Sequence, residues 1–125
     1  MNRGMAKKRI LIIEDEKPIL EAEAMLLESD YEVFKASDGK SGFELAKKHK
    51  PDLVVLDLML PHRGGYDLCF SFRQDPTLKK AKILMVTALS QDIDKVKGKM
   101  VGMDDYLTKP YEPSLFLEKV RKLLS

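Results

Sequence analysis

One cysteine, Cys69, is too few for an internal disulfide or a cysteine-based zinc site, and it suits a reducing compartment. No apolar run is long enough to cross a bilayer. Neither sign of charge dominates: 22 basic residues against 20 acidic ones leave a net charge of +2, too balanced to argue for nucleic acid from composition. Solenoid repeats, linkers and low-complexity segments are also missing. Residues 1–8 form a basic leader, but the apolar run behind it, Ile10-Leu11-Ile12-Ile13, is only a strand long and ends in acids. A secretory signal is therefore not expected, and the cytoplasm is the default location. Met1 and Met5 leave the start of the chain open.

What is present describes one globular domain. The 125 residues are 44% hydrophobic and 34% charged, enough for a single sizeable core, with residues 9–125 as the domain. Asp52-Leu53-Val54-Val55-Leu56-Asp57-Leu58-Met59-Leu60-Pro61 is the most informative stretch. Its Val- and Leu-rich centre reads as a strand buried on both faces, as in a parallel sheet. An acid where such a strand stops is costly unless a cation meets it.

Apolar strand runs alternate with helical spacing along the rest of the chain. After Ile10-Leu11-Ile12-Ile13 come Glu14-Asp15-Glu16, then Pro18 at a helix start and Leu20, Ala24 and Leu27 at helical spacing through about Ser29. Residues 31–36 alternate as a strand, closed by Asp38-Gly39. Phe43 and Ala46 mark the next helix, which ends in Lys47-Lys48-His49-Lys50 before Pro51. Beyond the central strand lie a loop at Pro61-His62-Arg63-Gly64-Gly65 and a helix carrying Leu68 and Phe72, broken at Asp75-Pro76. Ile83-Leu84-Met85-Val86 is the fourth strand, and Ile93, Val96 and Met100 make a helical stripe around Gly98. Tyr106-Leu107 is a short last strand, and Phe116, Val120 and Leu123 form the closing helix. A strand–helix unit repeated five times predicts an α/β fold, a doubly wound parallel sheet between two helical layers.

Ligands of such sheets bind at the carboxyl ends of the strands. There the chain brings Glu14 and Asp15, then Asp57, Thr87 and Lys109, from four strands. Clustered carboxylates repel unless a cation sits among them, and oxygen ligands without His or Cys select a hard ion such as Mg2+. A nucleophile, a metal and further cationic or hydroxyl groups are the parts of a phosphoryl-transfer site. Polar strand ends that merely meet water would explain any one of these positions, but poorly explain the combination.

Ile12-Ile13-Glu14-Asp15-Glu16, Val55-Leu56-Asp57-Leu58-Met59-Leu60-Pro61, Val86-Thr87-Ala88 and Asp104-Asp105-Tyr106-Leu107-Thr108-Lys109-Pro110 together resemble the receiver domain of two-component response regulators, over residues 8–124. The resemblance implies a flavodoxin-like, three-layer (βα)5 fold with strand order 2-1-3-4-5. It implies that Asp57 is the phosphoacceptor, served by a sensor histidine kinase or a phosphotransfer protein. Asp15, Asp57 and the Met59 backbone carbonyl would bind Mg2+, with Mn2+ as the alternative ion, and Glu14 would hold a metal-bound water. Lys109 would pair with Asp57 and then with the phosphoryl group. Thr87 would hydrogen-bond that group as Tyr106 turns inward, Ala88 would leave it reachable, and Pro110 is the candidate for a cis peptide. The face made by the fourth helix, fifth strand and fifth helix would signal to a partner or output domain, with no membrane contact and no direct nucleic-acid binding. Dimerisation there is left open: Asp104 and Asp105 match the transcription-factor type, but Lys119 and Leu115 stand where Arg and Glu are usual.

Other departures bear on chemistry. Glu14 stands where Asp is frequent, and His62-Arg63-Gly64 fills a loop more often seen as Gly-x-Asp. His62 has no metal-binding companions and reads as an exposed loop residue, as does Arg63; Cys69 reads as a small core residue. Met59 and Leu89 are apolar and cannot position an attacking water, so slow autodephosphorylation is expected. The protein is then a switch rather than an enzyme. A Mg2+-dependent aspartyl phosphohydrolase would need a second acid at Met59, and a flavin-binding protein would need a phosphate loop where Glu14-Asp15-Glu16 stand.

Overall fold

The computed structural model describes residues 6–61, 63–88 and 92–125, without the side chains of Asp92 and Ile93. Its elements are β1 (Arg9–Ile13), α1 (Lys17–Leu27), β2 (Glu32–Ala36), α2 (Gly39–His49), β3 (Leu53–Leu56), α3 (Gly65–Gln74), β4 (Lys82–Thr87), α4 (Asp92–Val101), β5 (Asp105–Thr108) and α5 (Pro113–Leu123). The strands form one parallel sheet in the order β2-β1-β3-β4-β5. The expected α/β architecture and strand order are therefore those of the molecule.

Alternation along the strands divides the core in two. Leu11, Ile13, Val54, Leu56, Ile83 and Met85 face α2 and α3, while Ile10, Ile12, Leu53, Val55, Leu84 and Val86 face α1 and α5. Both sets are buried, which is why these strands read as continuous apolar runs rather than alternating ones. Burying each such side chain contributes about 1.5–3 kcal/mol. Helix ends follow local chemistry: the Asp38 carboxylate caps α2 by accepting the Ser41 N–H at 2.8 Å, and Lys50 closes that helix in the left-handed region.

The fourth helix turns its apolar stripe away from the core. Val96 and Met100 lie on α4 at the helical spacing read with Ile93, but the stripe is not a core face: Val96 is 51% and Met100 80% exposed, and the Ile93 side chain lies outside the described residues. Gly98 is the buried position instead, and a Cβ there would collide with Met103. Three bonds set this rotation by tying α4 to α3. Tyr66 donates its hydroxyl to the Asp94 carbonyl at 2.8 Å, Cys69 its thiol to that of Val101 at 3.4 Å, and Arg73 its Nε–H to that of Gly102 at 2.8 Å. Spacing alone reports that apolar residues share a face, not which way the face is turned. Boundaries shift slightly too: α1 ends at Leu27 rather than Ser29, and β2 begins at Glu32.

Candidate functional site

The site is assembled by extending the strand ladders one residue past their ends. Glu14 donates its N–H to the Ala36 carbonyl at 3.0 Å, Asp57 to that of Ile13 at 3.1 Å, and Lys109 to that of Thr87 at 2.8 Å. These bonds fix three functional backbones at one edge of the sheet, although they are distant in sequence. Carboxylate oxygens of Glu14, Asp15 and Asp57 all lie within 4.8 Å of one another. Glu14 is 2% and Asp57 4% exposed, whereas Asp15 is open to solvent.

The Lys109 ammonium bridges the two buried acids. Its Nζ is 2.7 Å from Glu14 Oε1 and 3.3 Å from Asp57 Oδ2, so its shorter contact is to Glu14 and not to Asp57, the partner expected from the sequence. Backbone donors take the remaining oxygens: Met59 N–H donates to Asp57 Oδ1 at 3.0 Å and Glu16 N–H to Glu14 Oε2 at 3.1 Å. Burial pushes the Glu14 carboxyl up to about 7, against the opposing pull of Lys109 and the Glu16 N–H, with the Asp57 charge adding to the rise. Burial disfavours the Lys109 ammonium, but its hydrogen bond to Glu14 and the charges of Asp57 and Glu14 outweigh that and raise its pKa.

The donor set suits a divalent cation. Among the described residues, three carboxylates against one ammonium leave an excess of negative charge, and hard oxygens without His or Cys favour a small hard ion. Glu14, Asp15 and Asp57 are the residues that would hold it.

The other predicted positions surround this cluster. Thr87 closes β4 fully buried, and its carbonyl anchors Lys109, while Ala88 is exposed at the rim. Tyr106 lies in β5 beside Met85, 9% exposed, with Lys95 Nζ 5.9 Å from its ring centre; burial pushes its hydroxyl up to about 12. The Lys109–Pro110 peptide is cis. The Met59 side chain is 59% exposed. Arg63 is half-buried rather than an exposed loop residue: it pairs with Asp67 at 2.8 Å, donates to Ser71, and lies over the Phe43 ring. His62 and Leu89 fall outside the described residues.

Gly65 reads from the sequence as an ordinary loop glycine, but it is a site-forming residue. Its N–H donates to the Leu58 carbonyl at 3.1 Å, and a Cβ would sit 2.6 Å from the Asp57 carbonyl oxygen and 2.7 Å from Leu58 Cα. Those are backbone atoms that cannot swing aside. At Gly64 the nearest such atom is 4.0 Å away, so only the second glycine of the pair is required. Gly65→Ala is expected to cost about 1–3 kcal/mol, the usual penalty of overpacking, while Gly64→Ala, at the N-cap of α3, costs only about 0.5 kcal/mol. Equal denaturation midpoints for the two variants would contradict this assignment.

Comparison with known proteins gives the same picture. The model of the response regulator receiver domain family matches residues 10–121. The DNA-binding dual master transcriptional regulator RpaA of Synechocystis is 44% identical over 117 residues, which are 93% of this chain and 48% of that protein. The chain thus spans about half the length of the curated relatives it matches. Among solved structures, Vibrio cholerae chemotaxis protein CheY4 superposes with a TM-score of 0.91 at 28% identity, over 95% of this chain and all of the other. The BeF3-activated receiver domain of Thermotoga maritima DrrB superposes with a TM-score of 0.86 at 31% identity, over 94% of this chain and 97% of that one. With this sheet order, this cluster of acids around a lysine, and a family match across most of its length, the chain belongs to the response regulator receiver domains of two-component signalling.

Proposed function

We propose that Asp57 accepts a phosphoryl group, and that the observation carrying this reading is the Lys109 ammonium shared between buried Glu14 and Asp57 beside exposed Asp15. The donor is a phosphohistidine of a sensor kinase or phosphotransfer protein. An Asp57 oxygen forms the new bond to phosphorus as the phosphorus–nitrogen bond of the donor breaks, and the leaving imidazole takes a proton. Asp15, Asp57 and the Met59 carbonyl would hold Mg2+, with Glu14 reaching it through a water, and the ion would neutralise charge on the transferred oxygens. Mn2+ is the alternative ion. Lys109 transfers its hydrogen bonds to the phosphoryl oxygens, Thr87 donates to another, Ala88 keeps the phosphorus reachable, and Tyr106 moves with Thr87.

Residues 9–125 form one receiver domain, and residues 1–8 a basic leader. The chain works as a cytoplasmic phosphorylation switch, catalysing only transfer to its own Asp57 and slow loss of that group. The α4, β5 and α5 face carries the signal to an effector or output domain. Support for a responsive surface there comes from the exposed Val96 and Met100 of α4. Dimerisation through it has to contend with existing partners, since Lys119 holds Asp105 at 3.1 Å and Arg73 holds Asp104 at 2.7 Å within one chain.

Incubation with Mg2+ and acetyl phosphate should add the mass of one phosphoryl group to the wild type and none to Asp57→Ala. An equal gain in both would overturn the assignment. Once phosphorylated, the wild type should lose the group slowly, because the exposed Met59 side chain offers an approaching water no hydrogen bond. Met59→Asn is expected to speed hydrolysis several-fold, read as the decay of phosphoprotein after donor removal.

A further inference from the structure

Glu23 is a buried acid that the site does not use directly. It lies on the core side of α1 among Leu20, Ala24 and Leu27, at 2% exposure. A carboxyl there costs more than an apolar residue of similar size unless it is hydrogen-bonded. Its partner is Tyr111, whose hydroxyl donates to Glu23 Oε2 at 2.5 Å. Tyr111 follows Lys109-Pro110 in the loop between β5 and α5, and its ring stacks on fully buried Phe116 with centroids 5.3 Å apart.

The loop that carries Lys109 is thus held by hydrogen bonds to two elements as well as by the stacking of Tyr111 on Phe116. On one side the Lys109 N–H bonds the Thr87 carbonyl of β4, and on the other Tyr111 reaches Glu23 of α1. Between α1 and the loop runs an open groove, with Pro18, Ile19 and Ala22 on one wall and Ala88 and Pro110 on the other. The Tyr111 ring packs against the apolar cluster that holds Leu20, Ala24, Leu27 and Phe116, and its hydrogen bond to Glu23 adds a directional tie from helix to loop beside that groove. Burial raises the Glu23 pKa against the hydrogen bond from Tyr111 and the attraction of Lys109, with Asp57 adding to the rise, so this carboxyl also senses both charges of the site.

We propose that Glu23 is a positioning residue: by accepting the Tyr111 hydroxyl it fixes the loop between β5 and α5, and so the Lys109 ammonium, for phosphoryl transfer to Asp57. This rests on Asp57 being the phosphoacceptor. A displacement of the ammonium by about 1 Å is enough to slow such a transfer by one to two orders of magnitude. The maximal rate should suffer, rather than the concentration of phosphodonor needed to reach half of it, because Lys109 aligns charge on the transferred group and does not capture the donor.

The test measures thermal melting and the rate of phosphorylation against acetyl phosphate concentration at saturating Mg2+, for wild type, Glu23→Gln, Tyr111→Phe and the double variant Glu23→Leu/Tyr111→Phe. Glu23→Gln keeps an acceptor for the hydroxyl and should stay near the wild-type rate. Tyr111→Phe leaves a buried carboxyl without its partner and should lose both stability and rate. The double variant removes both polar groups, so its melting temperature should recover, while its maximal rate stays about tenfold below wild type. Recovery of the rate together with the melting temperature would make the pair merely structural and overturn the inference. So would an unchanged rate in Tyr111→Phe, or a slow Glu23→Gln of normal stability. Failure of the wild type to take up any phosphoryl group would overturn the phosphoacceptor reading and this inference together.

Discussion

Lys109→Met is expected to lower the melting temperature of the metal-free protein by about 10 °C, from a loss of about 2–4 kcal/mol. The side chain is 14% exposed and serves two acids that are 2% and 4% exposed. Removing it leaves both without their cation, and breaking a buried pair from one side usually costs about 3–5 kcal/mol. Protonation of Glu14 offsets part of this, which makes the loss depend on pH. Burial raises the Glu14 carboxyl from 4.5 to about 7, so between those values the folded chain keeps a proton that the unfolded chain has released. The stabilising contribution of that proton is complete below about 4.5 and is lost as pH rises through about 7. Lys109→Met removes the group that favours ionisation, so the variant should be damaged less at pH 6 than at pH 8. Melting curves at the two values, with and without millimolar Mg2+, would check this. Mg2+ should restore much of the loss at the higher pH, where the acids are ionised. A loss independent of both pH and Mg2+ would mean that Lys109 contributes through packing of its methylene stem rather than through its charge.

Asp57→Asn is expected to do the opposite to stability while removing the chemistry. Asp57 is buried within 4.8 Å of two other carboxylates, and it shares a single ammonium with one of them. A neutral amide avoids the cost of burying that charge, and its oxygen can still accept from the Met59 N–H, although its NH2 cannot take the place of the oxygen that Lys109 meets. The metal-free variant should therefore melt several degrees above the wild type, a gain of about 1–2 kcal/mol. Millimolar Mg2+ should raise the melting temperature of the wild type and barely move that of the variant, because one of the carboxylates that would hold the ion is gone. Acetyl phosphate should leave its mass unchanged. If Asp57→Asn melted below the wild type without metal, the hydrogen bonds from Met59 and Lys109 would outweigh the burden of the buried charge, and the acids would not be a preformed cation site.

Much of this molecule was legible before its structure. The apolar runs at Ile10-Leu11-Ile12-Ile13, Leu53-Val54-Val55-Leu56 and Ile83-Leu84-Met85-Val86 identify buried parallel strands, because only strands covered on both faces need apolar residues at every position. The acids, the threonine and the lysine were legible as one group for a related reason: each stands where such a run stops, and parallel strands all stop on the same edge. Local spacing failed where orientation or close approach decides. Val96 and Met100 share a face of α4, but that face was turned outwards by bonds from Tyr66, Cys69 and Arg73 of α3, which no pattern within α4 encodes. Gly65 looked like any loop glycine until the backbone of Asp57 and Leu58 was found against it.

The sequence by itself determined the alternating architecture, the edge of the sheet where function gathers, and the residue types available there. Those follow from periodicity and from the cost of burying polar groups, both of which act locally along the chain. Tertiary structure alone decided how the residues are partnered. It set Lys109 closer to Glu14 than to Asp57, and it joined Glu23 to Tyr111 across 88 positions of sequence. Hydrogen bonds are satisfied by whichever donor lies within about 3 Å, and that distance exists only once the strands have taken their register and the helices have packed onto them.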